Sequence, residues 1–293
     1  MIDPAALAAL AAVLRTGSFE GAAADLRLTQ SAISQRVKTL EDRLGTALVR
    51  RTRPATATVA GARLLQHAEE ISLLDRRLAA DLGGLLPTPD TPLRIAVTAD
   101  SLATWLLPAL AAVPDLLFDL VIDDQDHSAE LLRQGAVAAA VTLAGGAVPG
   151  CDAHALGSLR YRAYCAPAFA ARWFADGVTA DRLGAAPALT FNQKDTLQRQ
   201  WVTQATGGKP RLKTHYIPET NAITQAAIAG IGWGMNPTSM VDPLIAAGHL
   251  TEIIAGQTLD TPLIWQVPRQ NRDALADLTR AMRRAARGAL VPA

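Results

Sequence analysis

The sequence predicts an α/β protein in three parts: an all-α head, a long linker helix and a two-lobed α/β module. Three observations predict it. Between Ser18 and Gly61 two short amphipathic helices are joined tightly and followed by an arginine-rich hairpin. From Val59 to Leu82 apolar residues recur every three or four positions. Beyond the proline-rich run Pro87–Pro92 the rhythm changes to alternating strand and helix, the pattern of a parallel sheet.

Asp3-Pro4 is a good helix start, and Leu7, Leu10, Ala11 and Leu14 fall on one inward face. This segment lacks the basic flank of a secretion signal, so it reads as the first helix of the head. In the next helix Phe19, Ala22, Ala23 and Leu26 form the apolar stripe, and small alanines allow a close helix crossing. Arg27-Leu28 supplies the turn, and Thr29 is the expected N-cap of a helix burying Ile33, Val37, Leu40 and Leu44. Ser31, Ser34, Gln35 and Lys38 fall on a different face. Small residues permit close approach, an amide reads a base edge, and an ammonium meets a phosphate. These are the needs of a helix in the DNA major groove, whereas an ordinary solvated face is the competing reading. Gly45 suits the helix end, and Arg50, Arg51 and Arg53 arm the following hairpin for a phosphate backbone.

The segments SFEGAAADLRLTQSAISQRVKTLEDRLG, LVRRTRP and TVAG, in this order and spacing, resemble the winged helix-turn-helix of LysR-type transcriptional regulators. The resemblance implies that Gln30, Ser31, Ser34, Gln35 and Lys38 face DNA and that Arg51 and Arg53 grip the backbone. Residues 1 to 58 hold eight Arg or Lys against five Asp or Glu, a local excess of three positive charges. That is modest, so tight duplex binding needs two such heads acting together.

Leu64, Ala68, Ile71, Leu74, Leu78 and Leu82 make a seam along the linker helix, fit for a partner helix or for the helix's own domain. The resemblance favours the partner, because the family pairs this helix antiparallel between two subunits. Gly83-Gly84 and the proline run then form a hinge. Strands are expected over Leu93–Val97, Phe118–Asp123 and Val137–Leu143, with helices over Ser101–Ala112 and Ser128–Gln134. A second set follows: strands Ala188–Asn192, Leu212–Ile217 and Trp233–Met235, with helices near Thr196–Ala205 and Asn221–Ala229. Leu159–Ala166 and the region of Pro237 cross between lobes. Strand Pro262–Val267 and helix Arg272–Ala289 return to the first. The divisions are 1–58, 59–89 and 90–293, with lobe I about 90–160 and 262–293 and lobe II about 161–261. Two such lobes around a cleft resemble the periplasmic-binding-protein-like effector domain of the same family.

In open α/β lobes ligands collect where strand ends meet helix starts. At Thr98–Ser101, free amides and the Ser101 hydroxyl would hold a carboxylate, and Ser101 or Asp100 would also cap the helix. Asp123-Asp124-Gln125-Asp126 places three carboxylates in four residues. One of the first two should face the cleft, with Asp124 the candidate, favouring a cation unless the loop is simply solvated. The segments TADSLATWLLPAL, DDQDHSAELLRQG, GSLRY, KDTLQ, GIGWGM and DTPLIWQ resemble the LysG/ArgP branch, including proteins once described as inhibitors of chromosome replication initiation. That branch senses lysine, arginine or related amino acids and controls genes such as amino-acid exporters. Ser101 would then take the ligand carboxylate and Asp124 an amine. Thr142, Asn192, Asp195 and Glu219 are candidates to complete the site. Trp233 and Met235 would form an apolar wall or pack in the core. Asn236 departs from the branch, which usually has an apolar residue there.

The resemblance implies partners of double-stranded DNA, a basic amino-acid effector, a second copy in a homodimer or homotetramer, and RNA polymerase, in the cytoplasm. No catalytic signature is present, the five histidines lack metal-ligand spacing, and no cofactor is expected. Cys151 and Cys165 are too few for a disulfide framework, though a bond between them stays open at this stage. The competing function is an effector-independent DNA binder in replication control or chromosome architecture. A solute-binding protein fits the lobes but not the head.

Overall fold

The computed structural model describes residues 2–81, 92–122, 127–143 and 146–292. The head opens with α1 (Pro4–Thr16), where the Asp3 carboxylate accepts from the Ala5 amide and Gly17 closes the helix at φ 70°. α2 (Phe19–Asp25) is capped by Ser18, and α3 (Gln30–Leu44) by Thr29, whose hydroxyl accepts from Ala32 N at 3.2 Å. Gly45 ends α3 at φ 66°, as expected. Arg27 takes φ 52° to make the tight turn between α2 and α3. Leu10, Val13, Ala22, Ile33 and Val37 are fully buried together. Leu44 departs from the expectation and is 45% exposed. It is the last residue of α3, directly before the Gly45 cap where the chain turns away.

The hairpin is β1 (Val49–Arg50) paired antiparallel with β2 (Thr56–Ala57). α3 holds it directly: the Glu41 carboxylate accepts from Leu48 N at 2.7 Å and Val49 N at 3.2 Å. The linker helix α4 (Val59–Asp81) begins under the hairpin, with Thr58 accepting from Gly61 N. A Cβ on Gly61 would sit 1.9 Å from the Leu48 carbonyl oxygen, so only glycine fits this crossing. Leu65 of α4 is buried and Leu64 packs on the head, while Leu73 joins the core of the α/β module. Ile71, Leu74 and Leu78 remain 38%, 61% and 50% exposed. Leu82 and nearly all of the expected hinge lie outside the described residues.

The α/β module begins with β3 (Leu93–Val97), α5 (Ala99–Thr104), α6 (Leu106–Ala111), β4 (Phe118–Ile122), α7 (His127–Arg133) and β5 (Ala139–Leu143). One helix was expected over Ser101–Ala112, but the chain breaks it at Trp105, which is buried in the core. Pro108 explains the break: it lacks the amide that would bond to Thr104, and its ring would strike that carbonyl. Next come β6 (Cys151–Cys165), α8 (Pro167–Trp173), α9 (Ala180–Ala185), β7 (Ala188–Thr190), α10 (Leu197–Thr206), β8 (Thr214–Tyr216) and α11 (Thr220–Ile228). β9 (Gly234–Pro237), α12 (Thr238–Ala246), β10 (Thr251–Glu252), β11 (Thr258–Pro268) and α13 (Ala276–Ala289) complete it.

The main sheet runs β10-β6-β11-β5-β3-β4, with β9 also paired to β6. β3 is parallel to β4 and β5, whereas β11 pairs antiparallel along its whole length with Cys151–Arg162 of β6. Those two long strands pass from the β3–β5 lobe into the lobe carrying β9, β10 and the separate parallel pair β7–β8. Their register shifts between Leu263 and Ile264, opposite Gly157 at φ 119°. Cys151 and Cys165 are free, buried and at opposite ends of β6. Strand rise separates them by roughly 45 Å, far beyond disulfide reach.

Candidate functional site

On the head, Gln30, Ser31, Gln35 and Lys38 are exposed along α3 and Ser34 is half-buried beside them. The opposite face of α3 is locked into the core by Ile33, Val37 and Leu40, so this polar face is presented rigidly. Ser31 Oγ lies 3.0 Å from the Thr29 hydroxyl in a shared hydrogen bond. Arg51 and Arg53 are exposed on the adjoining hairpin, and the Arg51 guanidinium lies 5.2 Å over the Phe19 ring. That contact orients Arg51 while leaving its N–H edge available. Ala55 N donates to Gly17 O at 2.7 Å, tying the hairpin to α1 as well as to α3. One helix face and a braced pair of arginines are therefore held side by side.

Between the lobes lies a cavity of about 330 Å³. Thr98, Ala99 and Asp100 line it from one lobe, Tyr161 from β6, and Phe191, Lys194, Asp195, Met235 and Asn236 from the other. Asp100 joins the two sides. Its Oδ2 accepts from the Tyr161 hydroxyl at 2.7 Å and its Oδ1 from the Thr220 hydroxyl at 2.8 Å. Desolvation drives the Asp100 pKa upward, the two hydroxyl donors oppose that, and the negative charge of Asp195 adds to it. The Tyr161 hydroxyl is pushed far up by burial and by Asp100, so it stays a donor. Asp195 sits in a turn built by Asn192, whose Oδ1 accepts from Lys194 N and Asp195 N at 2.8 and 3.0 Å. Asp195 itself accepts from Phe191 N and Leu197 N. Asn236 is buried, and its Nδ2 donates to Thr220 O at 2.8 Å and to the Thr224 hydroxyl at 2.9 Å.

The structure brings Asp195 and Met235 to this cavity, with Asn192 shaping its rim. Thr98, rather than Ser101 or Asp100, caps α5: its hydroxyl accepts from Ser101 N and donates to Ser101 Oγ at 2.7 Å. Ser101 is fully buried behind that cap. Thr142 accepts from Gln266 Nε2 at 2.8 Å within the sheet. Glu219 is exposed and caps α11 through Asn221 N and Ala222 N. Trp233 is wholly buried against Trp201, with ring centroids 5.9 Å apart, and forms core rather than a cavity wall. Asp124 lies outside the described residues. Asn236, which the sequence sets at a possible pocket edge, does line the cavity, whereas Asp100 and Tyr161 were not singled out as ligand contacts. The only sequence signal for Asp100 was its place just before a helix, which also fits a cap.

A rigid polar helix face with a basic hairpin, joined by one helix to two lobes around a cleft, defines a DNA-binding regulator with a ligand-sensing module. Residues 4–62 match the bacterial regulatory helix-turn-helix protein, lysR family, and residues 88–287 match the LysR substrate binding domain. The chain belongs to the LysR family of bacterial transcriptional regulators, which are not enzymes. It is 41% identical to the HTH-type transcriptional regulator LysG of Mycobacterium tuberculosis, over 98% of this chain and 96% of that protein. The crystal structure of ArgP from M. tuberculosis is 41% identical, covers all of both chains and superposes with a TM-score of 0.81. Full-length LysG from Corynebacterium glutamicum with bound effector Arg is 36% identical over 99% of this chain and 100% of that one, with a TM-score of 0.70.

Proposed function

We propose that this regulator responds to a basic amino acid held between the lobes, and controls genes of amino-acid export or metabolism. One observation carries the reading: Asp100 and Asp195 line a single partly desolvated chamber from opposite lobes, and the Asp195 charge disfavours ionisation of Asp100. A guanidinium or ammonium relieves that repulsion, whereas a neutral side chain leaves it in place. The α-carboxylate is met by Lys194, on the same chamber wall. The effector Arg bound to the related C. glutamicum protein supports this chemistry. On the head, Gln30, Ser31, Ser34, Gln35 and Lys38 enter the major groove while Arg51 and Arg53 hold the backbone. Two copies pair through the exposed Ile71, Leu74 and Leu78 of α4, which places two heads on one operator.

Calorimetry on the full chain with arginine, lysine and the uncharged analogue citrulline tests the effector. Arginine or lysine should give heat and citrulline none. Asp100→Asn should weaken binding about tenfold or more, the loss of one charge-assisted contact of about 1.5–3 kcal/mol, with DNA binding kept. Equal binding of citrulline, or no heat from any basic amino acid, refutes the reading.

A further inference from the structure

A second chamber, of about 350 Å³, lies wholly within lobe II, where the β7–β8 pair meets the first turn of α10. Its size falls in the range of small-molecule sites. Arg199, Lys209 and Arg211 stand in its wall, a concentration of positive charge outside both the cleft and the DNA-facing head. All three are exposed. Arg199 is steadied by weak bonds at 3.4 Å to the carbonyls of Gln193 and Asp195. Among the described residues the Lys209 and Arg211 side chains enter no ion pair.

Deeper in the same wall sits Gln198, only 2% exposed. Its Nε2 donates to Leu189 O at 2.8 Å, but its Oε1 accepts nothing among the described residues. A buried amide oxygen without a donor is costly and uncommon in folded proteins. Asp195 lines this chamber too, and against its single negative charge the three cations leave a net excess of positive charge.

We infer that this chamber binds a small hydroxylated dianion, a hydroxy-dicarboxylate or a phosphate monoester. Lys209, Arg211 and Arg199 hold its charges, and Gln198 Oε1 accepts its hydroxyl. The site shares Asp195 with the interlobe cleft, but Gln198 and the three cations lie outside that cleft's lining, so a failure of the basic amino-acid reading leaves it untouched.

The test is calorimetry on the full chain with L-malate, with succinate as the same dianion lacking the hydroxyl, and with glycerol 3-phosphate. Malate or glycerol 3-phosphate should bind, and which of them is tighter identifies the carboxylate or phosphate source. Succinate should bind several-fold more weakly than malate. The double variant Lys209→Ala/Arg211→Ala, on exposed positions, should weaken binding at least tenfold while leaving arginine heat at the cleft unchanged. Gln198→Leu should erase the malate–succinate difference, and Gln198→Glu should lower the affinity for both. The inference is overturned if neither malate nor glycerol 3-phosphate gives heat, or if the double variant binds them as the parent does.

Discussion

At the scale of single residues, the head and the cleft use side chains differently. On α3 the functional residues are exposed apart from half-buried Ser34, and Lys38 stands open to solvent. Lys38→Ala should weaken binding on all duplexes alike and lower the salt slope by about one counterion, whereas Gln35→Ala should relax preference among operators. Affinity titrations at several salt concentrations distinguish the two, and an unchanged slope for Lys38→Ala would remove its phosphate role. In the cleft the central polar groups already hold partners. Asp100 spans two lobes through Tyr161 and Thr220, and Asn236 holds the start of α11 by two bonds. The head's outward residues were legible because helical periodicity alone separates the polar face from the apolar one. The cleft was less so. Tyr161 and Thr220 meet Asp100 across about sixty and one hundred and twenty residues of chain, and no local pattern records such a meeting. Thr98 displaced Ser101 and Asp100 as the cap for a subtler reason: it is the residue just before the helix, two ahead of Asp100 and three ahead of Ser101, where the extended backbone lets its hydroxyl reach Ser101 N.

At the scale of elements, caps and periodicity located the head correctly: Asp3, Thr29 and Gly45 all occupy the places the sequence marks for them. The alternation of strand and helix also exposed β3, β4, β5, β7 and β8. What escaped were short pieces. α8, α9 and β10 were not anticipated, because two to seven residues are too few for a period to register. α12 escaped because Pro243 interrupts its interior. β6 and β11 are longer than expected since pairing with neighbouring strands, not their own composition, sets their ends: with each other over Cys151–Arg162, and with β9 and β10 at the end of β6. The linker helix carries the prediction at this scale. Its stripe of Ile71, Leu74 and Leu78 is exposed on one chain, and Leu74 at 61% is the most open. Leu74→Asp combined with Leu78→Asp should shift the protein to monomers by light scattering and cut duplex affinity. Charged residues on a surface already facing water leave the monomer fold intact. An unchanged mass would show that the copies meet elsewhere.

At the scale of the whole molecule, Glu69 of α4 marks the junction of the three parts. Its carboxyl is pushed up to about 7, chiefly by desolvation. Arg94 of β3 and Arg15 of α1 pull it down, while Asp119 of β4 and Glu70 of α4 push it further up. Since the folded pKa exceeds the ordinary 4.5, this group favours the fold fully below pH 4.5 and loses that contribution as pH rises through about 7. The amount is up to about 3 kcal/mol. Glu69→Gln should therefore melt like the parent at pH 5 but several degrees higher at pH 8, and parallel melting curves across that range would refute it. Elsewhere the linker is seated on its own α/β module by Leu73 and by the hydrogen bond from Gln270 to Glu70. The main strands of that module have a mechanical consequence. Because β6 and β11 are continuous through both lobes, the lobes cannot separate like two plates on a swivel. They flex as arms of a single leaf spring, with the backbone ladder preserved at every angle. Resistance to opening is therefore elastic and graded. The register shift falls beside Gly157, where Ser158 and Val291 exchange backbone bonds and fasten the segment after α13 to these strands.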